Sequence, residues 1–116
     1  MEEKCDHIDE TLIKQMMEII PSDENISRMG NVFQALQSET RLKILFLLTN
    51  KEMCVCELNY ALDVTQSAIS HSLRTLRQLD LVRVKKEGRY AVYHIADDHV
   101  RLLIEMCKQH VIEEGK

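Results

Sequence analysis

Residues 54–95 read CVCELNYALDVTQSAISHSLRTLRQLDLVRVKKEGRYAVYHI, and the change of period inside this stretch decides the fold. Its first part predicts a short helix from Cys56 to Leu62 and a turn at Asp63-Val64. Thr65 then caps a helix from Gln66 to about Leu79 that turns Ile69, Leu73 and Leu76 inward. From Leu81 the period becomes two. Leu81-Val82-Arg83-Val84-Lys85 alternates, Lys86-Glu87-Gly88-Arg89 turns, and Tyr90-Ala91-Val92-Tyr93-His94-Ile95 is rich in strand formers. Short helix, tight turn, second helix and basic hairpin form the order of a winged helix-turn-helix. In that arrangement the second helix enters the major groove by its N-terminal end and the hairpin tip lies along the phosphates. Gln66, Ser67, Ser70 and His71 are polar side chains suited to base edges and phosphates at that end, with Arg74 one turn further on. Lys85, Lys86 and Arg89 would supply the salt-dependent, sequence-blind part of affinity.

Helices flank this block on both sides. DETLIKQMMEII carries an apolar stripe of Leu12, Ile13, Met16, Met17, Ile19 and Ile20 that Pro21 ends. A second helix spaces Ile26, Met29, Val32, Phe33 and Leu36 three or four apart. Ser38 predicts the cap of a third, in which Leu42, Ile44, Leu45, Leu47 and Leu48 are buried. After the hairpin, Asp97 caps a last helix reaching about Glu113, with Val100, Leu103, Ile104, Cys107 and Val111 as its stripe. The fold class is therefore mainly α with a small β-hairpin. Residues 1–25 read as an N-terminal arm and helix, and residues 26–116 as the winged domain with its closing helix.

Composition narrows the function. A chain of 116 residues with 45% apolar and 29% charged residues supports one small core and lies outside the disordered class. No apolar run approaches the roughly 18 residues that span a bilayer, and MEEKCDHIDE is no signal peptide, so a cytoplasmic location is expected. There the four cysteines favour free thiols or metal ligands over disulfides. The net charge of −4 conceals a basic block, because residues 65–89 hold Arg74, Arg77, Arg83, Lys85, Lys86 and Arg89 against only Asp80 and Glu87.

The runs Cys54-Val55-Cys56-Glu57-Leu58 and Gln66-Ser67-Ala68-Ile69-Ser70-His71-Ser72-Leu73 add a more specific signal. They are followed by Leu76-Arg77, Leu81-Val82 and Glu87-Gly88-Arg89 with Tyr93. On these residues the chain resembles the ArsR/SmtB family of metal-responsive bacterial and archaeal repressors, over roughly residues 26–114. The resemblance implies a homodimer whose first and last helices form the interface. It also implies double-stranded operator DNA as partner and release of that DNA when metal binds.

Two sets of residues could hold the metal. Asp97, His99, His110 and Glu113 stand on the closing helix. His99 and His110 lie about 16 Å apart along a helix axis, and zinc ligands sit about 2 Å from the ion, so one helix cannot gather all four groups. Two antiparallel copies can: Asp97 and His99 of one chain then face His110 and Glu113 of the other. Each site would offer two nitrogen and two oxygen ligands, a set suited to Zn(II) or Co(II). Zinc sensors of the family carry this spacing.

The second set is Cys54 and Cys56 with Cys5 and His7 of the arm. At i and i+2 the two thiols point about 200° apart on a regular helix, so chelation requires an irregular helix start. Members of the family bind Cd(II), Pb(II) or arsenite with such a pair plus N-terminal thiols, and this set would suit Cd(II), Pb(II) or Zn(II). The plainer alternative makes Cys54 and Cys56 small buried hydrophobes. Cys107 is expected to pack rather than ligate, and His94 to face solvent. A zinc hydrolase would need an open coordination position and a substrate cleft, for which so short and helical a chain has no evident place. No enzymatic activity, membrane partner or small organic substrate is expected. A metal-independent DNA-binding regulator remains the alternative of another class.

Overall fold

A computed structural model describes residues 6–114 of the chain, with the Glu114 side chain outside the described set. The elements are α1 (Glu10–Met17), α2 (Asp23–Ala35), α3 (Glu39–Asn50), β1 (Met53–Cys54), α4 (Val55–Ala61), α5 (Gln66–Gln78), β2 (Val82–Glu87), β3 (Tyr90–Ile95) and α6 (Asp98–Glu114). They fall into two compact units, one ending at Gly30 and the other beginning at Asn31.

In the first unit Asp9 caps α1 by accepting from Leu12 N at 3.1 Å. The helix stops at Met17, earlier than its apolar stripe suggests. Glu18, Ile19 and Ile20 donate to Gln15, Met16 and Met17 instead, the i to i+3 pattern of a tightened last turn. Pro21 explains this, because the residue before proline is driven away from helical backbone. α1 buries none of its residues, and Leu12, Ile13, Met16 and Met17 are all exposed.

The second unit holds the core. Ser38 caps α3 by accepting from Arg41 N at 3.2 Å, and Thr65 caps α5 by accepting from Ala68 N at 3.1 Å. Asp97 caps α6 by accepting from Val100 N at 3.1 Å, so the three expected caps are all in place. Ile44 and Leu45 of α3, Leu58 of α4, Ile69, Leu73 and Leu76 of α5, Val82 of β2 and Ile104 of α6 are almost wholly buried together. Leu42 and Leu47, expected inside, are only half-buried. A side chain of Arg101 on α6 donates to the Thr49 carbonyl near the end of α3, satisfying a carbonyl that the helix itself leaves unpaired.

The wing is larger than the hairpin read from the sequence. β2 and β3 pair antiparallel from Val82↔Ile95 to Glu87↔Tyr90, around a two-residue turn whose Gly88 has φ 60. A third strand, β1, adds to the other edge of β3 in the register Met53↔Tyr93 and Cys54↔Val92. Two residues carry no readable alternation, which is why the sequence does not announce this strand. His94 is half-buried rather than solvent-facing, with Nδ1 3.0 Å from the Ile95 carbonyl.

Candidate nucleic-acid interface and metal-ligand positions

α5 shows its two faces clearly. Ile69, Ser72, Leu73 and Leu76 are buried, while Gln66, Ser67, Ser70, His71 and Arg74 are all exposed. The first turn of α5 contains no acid, so its unpaired N–H groups and positive helix end are open to a phosphate. Asn59 holds the turn between α4 and α5 by donating Nδ2 to the Val64 carbonyl at 2.9 Å. This helix pair and the wing follow each other on one small core, the arrangement that presents a reading helix and a flanking hairpin together.

The cations of the wing are not equivalent. Lys85 Nζ lies 3.0 Å from Glu52 Oε1 and 3.5 Å from Glu87 Oε2, and these carboxylates raise its pKa, Glu52 first. Arg83 forks onto Asp80, Nε to Oδ1 and Nη2 to Oδ2, each at 3.0 Å. Lys86 and Arg89 are exposed, and neither enters an ion pair among the described residues. Lys85 would therefore have to leave two carboxylates to reach a phosphate, whereas Lys86 and Arg89 would not. Sequence reasoning missed Glu52 and Asp80, although an aspartate directly after a helix end with an arginine three residues on is a readable sign.

The metal-ligand candidates fall in separate places. His99 Nδ1 stands 3.6 Å from Asp97 Oδ1 at the start of α6, and its side chain is 94% exposed. Asp97 uses Oδ1 as the helix cap. His110 and Glu113 lie exposed toward the other end of the same helix. Among the described residues no cluster of three or more His, Cys, Asp or Glu side chains is close enough to hold an ion.

Cys54 is the N-cap of α4, with φ −91 and ψ 172, so it stands in extended backbone at the β1–α4 junction rather than inside a regular helix. That is the irregular start which chelation by Cys54 and Cys56 requires. Cys54 is half-buried and Cys56 exposed, and neither belongs to the core. Glu57 braces this junction by accepting from Cys54 N at 3.0 Å, with Lys51 at 3.8 Å from its other oxygen. The Cys54 hydrogen bond, more than Lys51, holds the Glu57 carboxyl below its ordinary pKa. His7 is exposed, and Cys5 lies outside the described residues.

Cys107 is exposed and lines an apolar groove of about 660 Å³ with Phe33, Leu36, Phe46, Leu103 and Val111. Leu102, Met106, Val111 and Ile112 of α6 are exposed as well. So much apolar side chain on one helix is what an interaction face presents.

This combination of helix pair, wing and apolar closing helix is that of the winged helix-turn-helix class of DNA-binding domains. Residues 38–84 match the family described as "Bacterial regulatory protein, arsR family". A transcriptional repressor SmtB homolog of Synechocystis sp. is 36% identical over 101 residues, covering 87% of this chain and 76% of its own length. A cadmium resistance transcriptional regulatory protein CadC homolog of Staphylococcus aureus is 34% identical over 88 residues, covering 75% and 73%. The homodimeric winged helix-turn-helix DNA-binding domain of Mb0332 from Mycobacterium bovis superposes with a TM-score of 0.76 at 27% identity, covering 84% of this chain and 93% of that one. The chain belongs to the ArsR/SmtB family of winged helix-turn-helix regulators. No helix among the described residues is long and apolar enough to cross a membrane.

Proposed function

We propose that this regulator is a homodimeric, metal-responsive repressor that holds operator DNA without metal and releases it on binding Zn(II) or a related divalent ion. The observation that carries the reading is the division of α6: an Asp97–His99 pair at its start, His110 and Glu113 near its end, and exposed apolar residues between them. Only an antiparallel second copy brings the two halves within the reach of one ion. The donor set fits. Asp97 keeps Oδ2 beyond its capping oxygen, and the His99 ring stands almost fully in solvent. Two imidazoles and two carboxylates give a borderline-hard tetrahedral set for Zn(II) or Co(II). The name of the cadmium-resistance CadC homolog supports metal response, and the homodimeric Mb0332 domain supports the twin chain.

In this reading residues 1–25 are an arm and helix that serve the dimer, and residues 26–116 are the winged domain. The dimer sets its two α5 helices about one DNA turn apart, roughly 34 Å, on a palindromic operator in the cytoplasm. Gln66, Ser67, Ser70, His71 and Arg74 face the groove, while Lys86 and Arg89, with Lys85 when it leaves its acids, face phosphates. Metal across the paired α6 helices favours a dimer geometry that spaces the α5 helices differently. The family resemblance suggests one route, from the distal nitrogen of His110 to backbone near Asp80. By linkage, DNA must then weaken metal as much as metal weakens DNA. A hundredfold effect corresponds to about 2.7 kcal/mol.

The deciding experiment follows operator anisotropy while Zn(II), Co(II), Cd(II) and then a chelator are added. A fall in affinity with metal and its recovery with chelator are expected. Binding indifferent to every metal would overturn the sensing function and favour a metal-independent regulator.

A second reading has its own observation, the extended Cys54 beside an exposed Cys56. These thiolates, with Cys5 and His7 of the arm, would take Cd(II), Pb(II) or Zn(II), or arsenite if Cys5 reaches them. Cd(II) response lost in Cys54→Ser but kept in His99→Ala would assign the switch to this site.

The wing gives a separate expectation. Changing Lys86 and Arg89 to glutamine removes four phosphate contacts per dimer. The slope of log K against log salt should become shallower by about 3.6, from about 0.9 per contact. A slope equal to wild type would place the phosphate contacts elsewhere.

A further inference from the structure

We propose that Asp80 and Arg83 form a positioning pair that fixes the wing to the reading helix, and that Arg83 serves DNA binding without touching a phosphate. α5 closes with Asp80 N donating to the Arg77 carbonyl and Leu81 N to the Leu76 carbonyl, both at 2.9 Å. Leu76 and Leu81 are buried, which completes the usual helix stop of this kind. The residue in the middle of such a stop takes left-handed backbone, and Asp80 does so at φ 55. Glycine suits that position best, and aspartate is among the few other residues that tolerate it.

What aspartate adds is a carboxylate. Both its oxygens accept from the Arg83 guanidinium at 3.0 Å, and Arg83 is the second residue of β2. A planar fork fixes direction as well as distance. It therefore ties the stop just after α5 to strand β2 of the wing, and beside it Ala96 N donates to the Leu81 carbonyl at 3.1 Å. The electrostatics agree from both sides. The Arg83 hydrogen bonds hold the Asp80 carboxyl below its ordinary range, and the Asp80 hydrogen bonds hold Arg83 above its own.

The consequence for recognition is a division of labour. A reading helix and a wing must meet the groove and the phosphates together, so a loosened joint between them weakens DNA binding even if every contacting side chain is intact. This rests on the DNA-binding reading but not on any metal site.

The test uses the full-length protein and a fluorescent duplex that the wild type enriches from a randomised library. Affinity is measured over a salt series for wild type, Asp80→Asn, Arg83→Met and the double variant. Each single change should weaken binding on the order of fivefold, with the double no worse than either and the salt slope unchanged. If Arg83 instead lies on a phosphate, Asp80→Asn frees it and removes a repelling carboxylate, so binding tightens. Arg83→Met would then flatten the slope by about 1.8 for two phosphates per dimer. Either result overturns the proposal. Asp80→Gly keeps the helix stop and should melt no lower than wild type while binding as weakly as Asp80→Asn; wild-type affinity in that variant would also overturn it. Failure of the wild type to enrich any duplex would instead sink the DNA-binding reading itself.

Discussion

Leu73→Ala is expected to lower the free energy of unfolding by about 2–5 kcal/mol, the range for truncating a buried leucine. Leu73 is 1% exposed and belongs to the core shared by α3, α4, α5, the wing and α6. Its removal leaves a cavity behind the reading helix, because Ile69 and Leu76 beside it are themselves wholly buried and cannot collapse freely. Small domains have about 5–15 kcal/mol in total, so a large share of the stability disappears. Urea unfolding at fixed protein concentration measures it, the concentration being fixed because the proposed dimerisation would shift apparent stability. Tyr60→Ala is the natural control, since Tyr60 is 96% exposed and its loss should cost under about 0.5 kcal/mol. A Leu73→Ala midpoint equal to that of Tyr60→Ala would mean that α5 is not anchored through this face.

The second large effect concerns metal. His99→Ala should leave unfolding and metal-free operator binding as in wild type, because the side chain is 94% exposed and its only described partner is Asp97 at 3.6 Å. It should nevertheless abolish the Zn(II)-driven fall in operator affinity, a loss on the order of a hundredfold. His110→Ala should do the same to the metal response.

Mixing the two variants is the more searching measurement. If one ion draws Asp97 and His99 from one chain and His110 and Glu113 from the other, a heterodimer of His99→Ala with His110→Ala has one ruined site and one intact. About half of the dimers in a re-equilibrated equal mixture are such heterodimers, so part of the Zn(II) binding returns. If each ion is held within a single chain, both chains are defective and mixing restores nothing. Equilibrium dialysis of Zn(II) against the mixture and against each parent distinguishes these outcomes.

Much of the fold is written locally. Ser38, Thr65 and Asp97 are caps because a short oxygen-bearing side chain before an apolar-periodic run meets the unpaired N–H groups of the next turn. The inward face of α5 follows from the spacing of Ile69, Leu73 and Leu76, and the wing from the shift to period two at Leu81. Pro21 is also local, yet its effect reaches backward into residues whose apolar stripe alone argues for continued helix.

The features that shape function are less local. The pairing of β1 with β3 joins residues about forty apart in sequence, and two-residue strands carry no pattern of their own. Glu52 meets Lys85 only because that pairing closes the sheet, so a cation that the sequence places on the phosphates is held by acids instead. The hydrophobic spacing of α3 offers five candidates for burial, but only packing selects Ile44, Leu45 and Leu48 over Leu42 and Leu47.

The amino-acid order alone determined the three caps, the inward face of α5 and the basic stretch, since each depends on neighbours within a turn or two. Tertiary structure decided which cations are held by acids, which leucines lie inside and how Cys54 is drawn into β1 ahead of α4, because charge pairing, burial and strand pairing depend on what distant segments bring alongside.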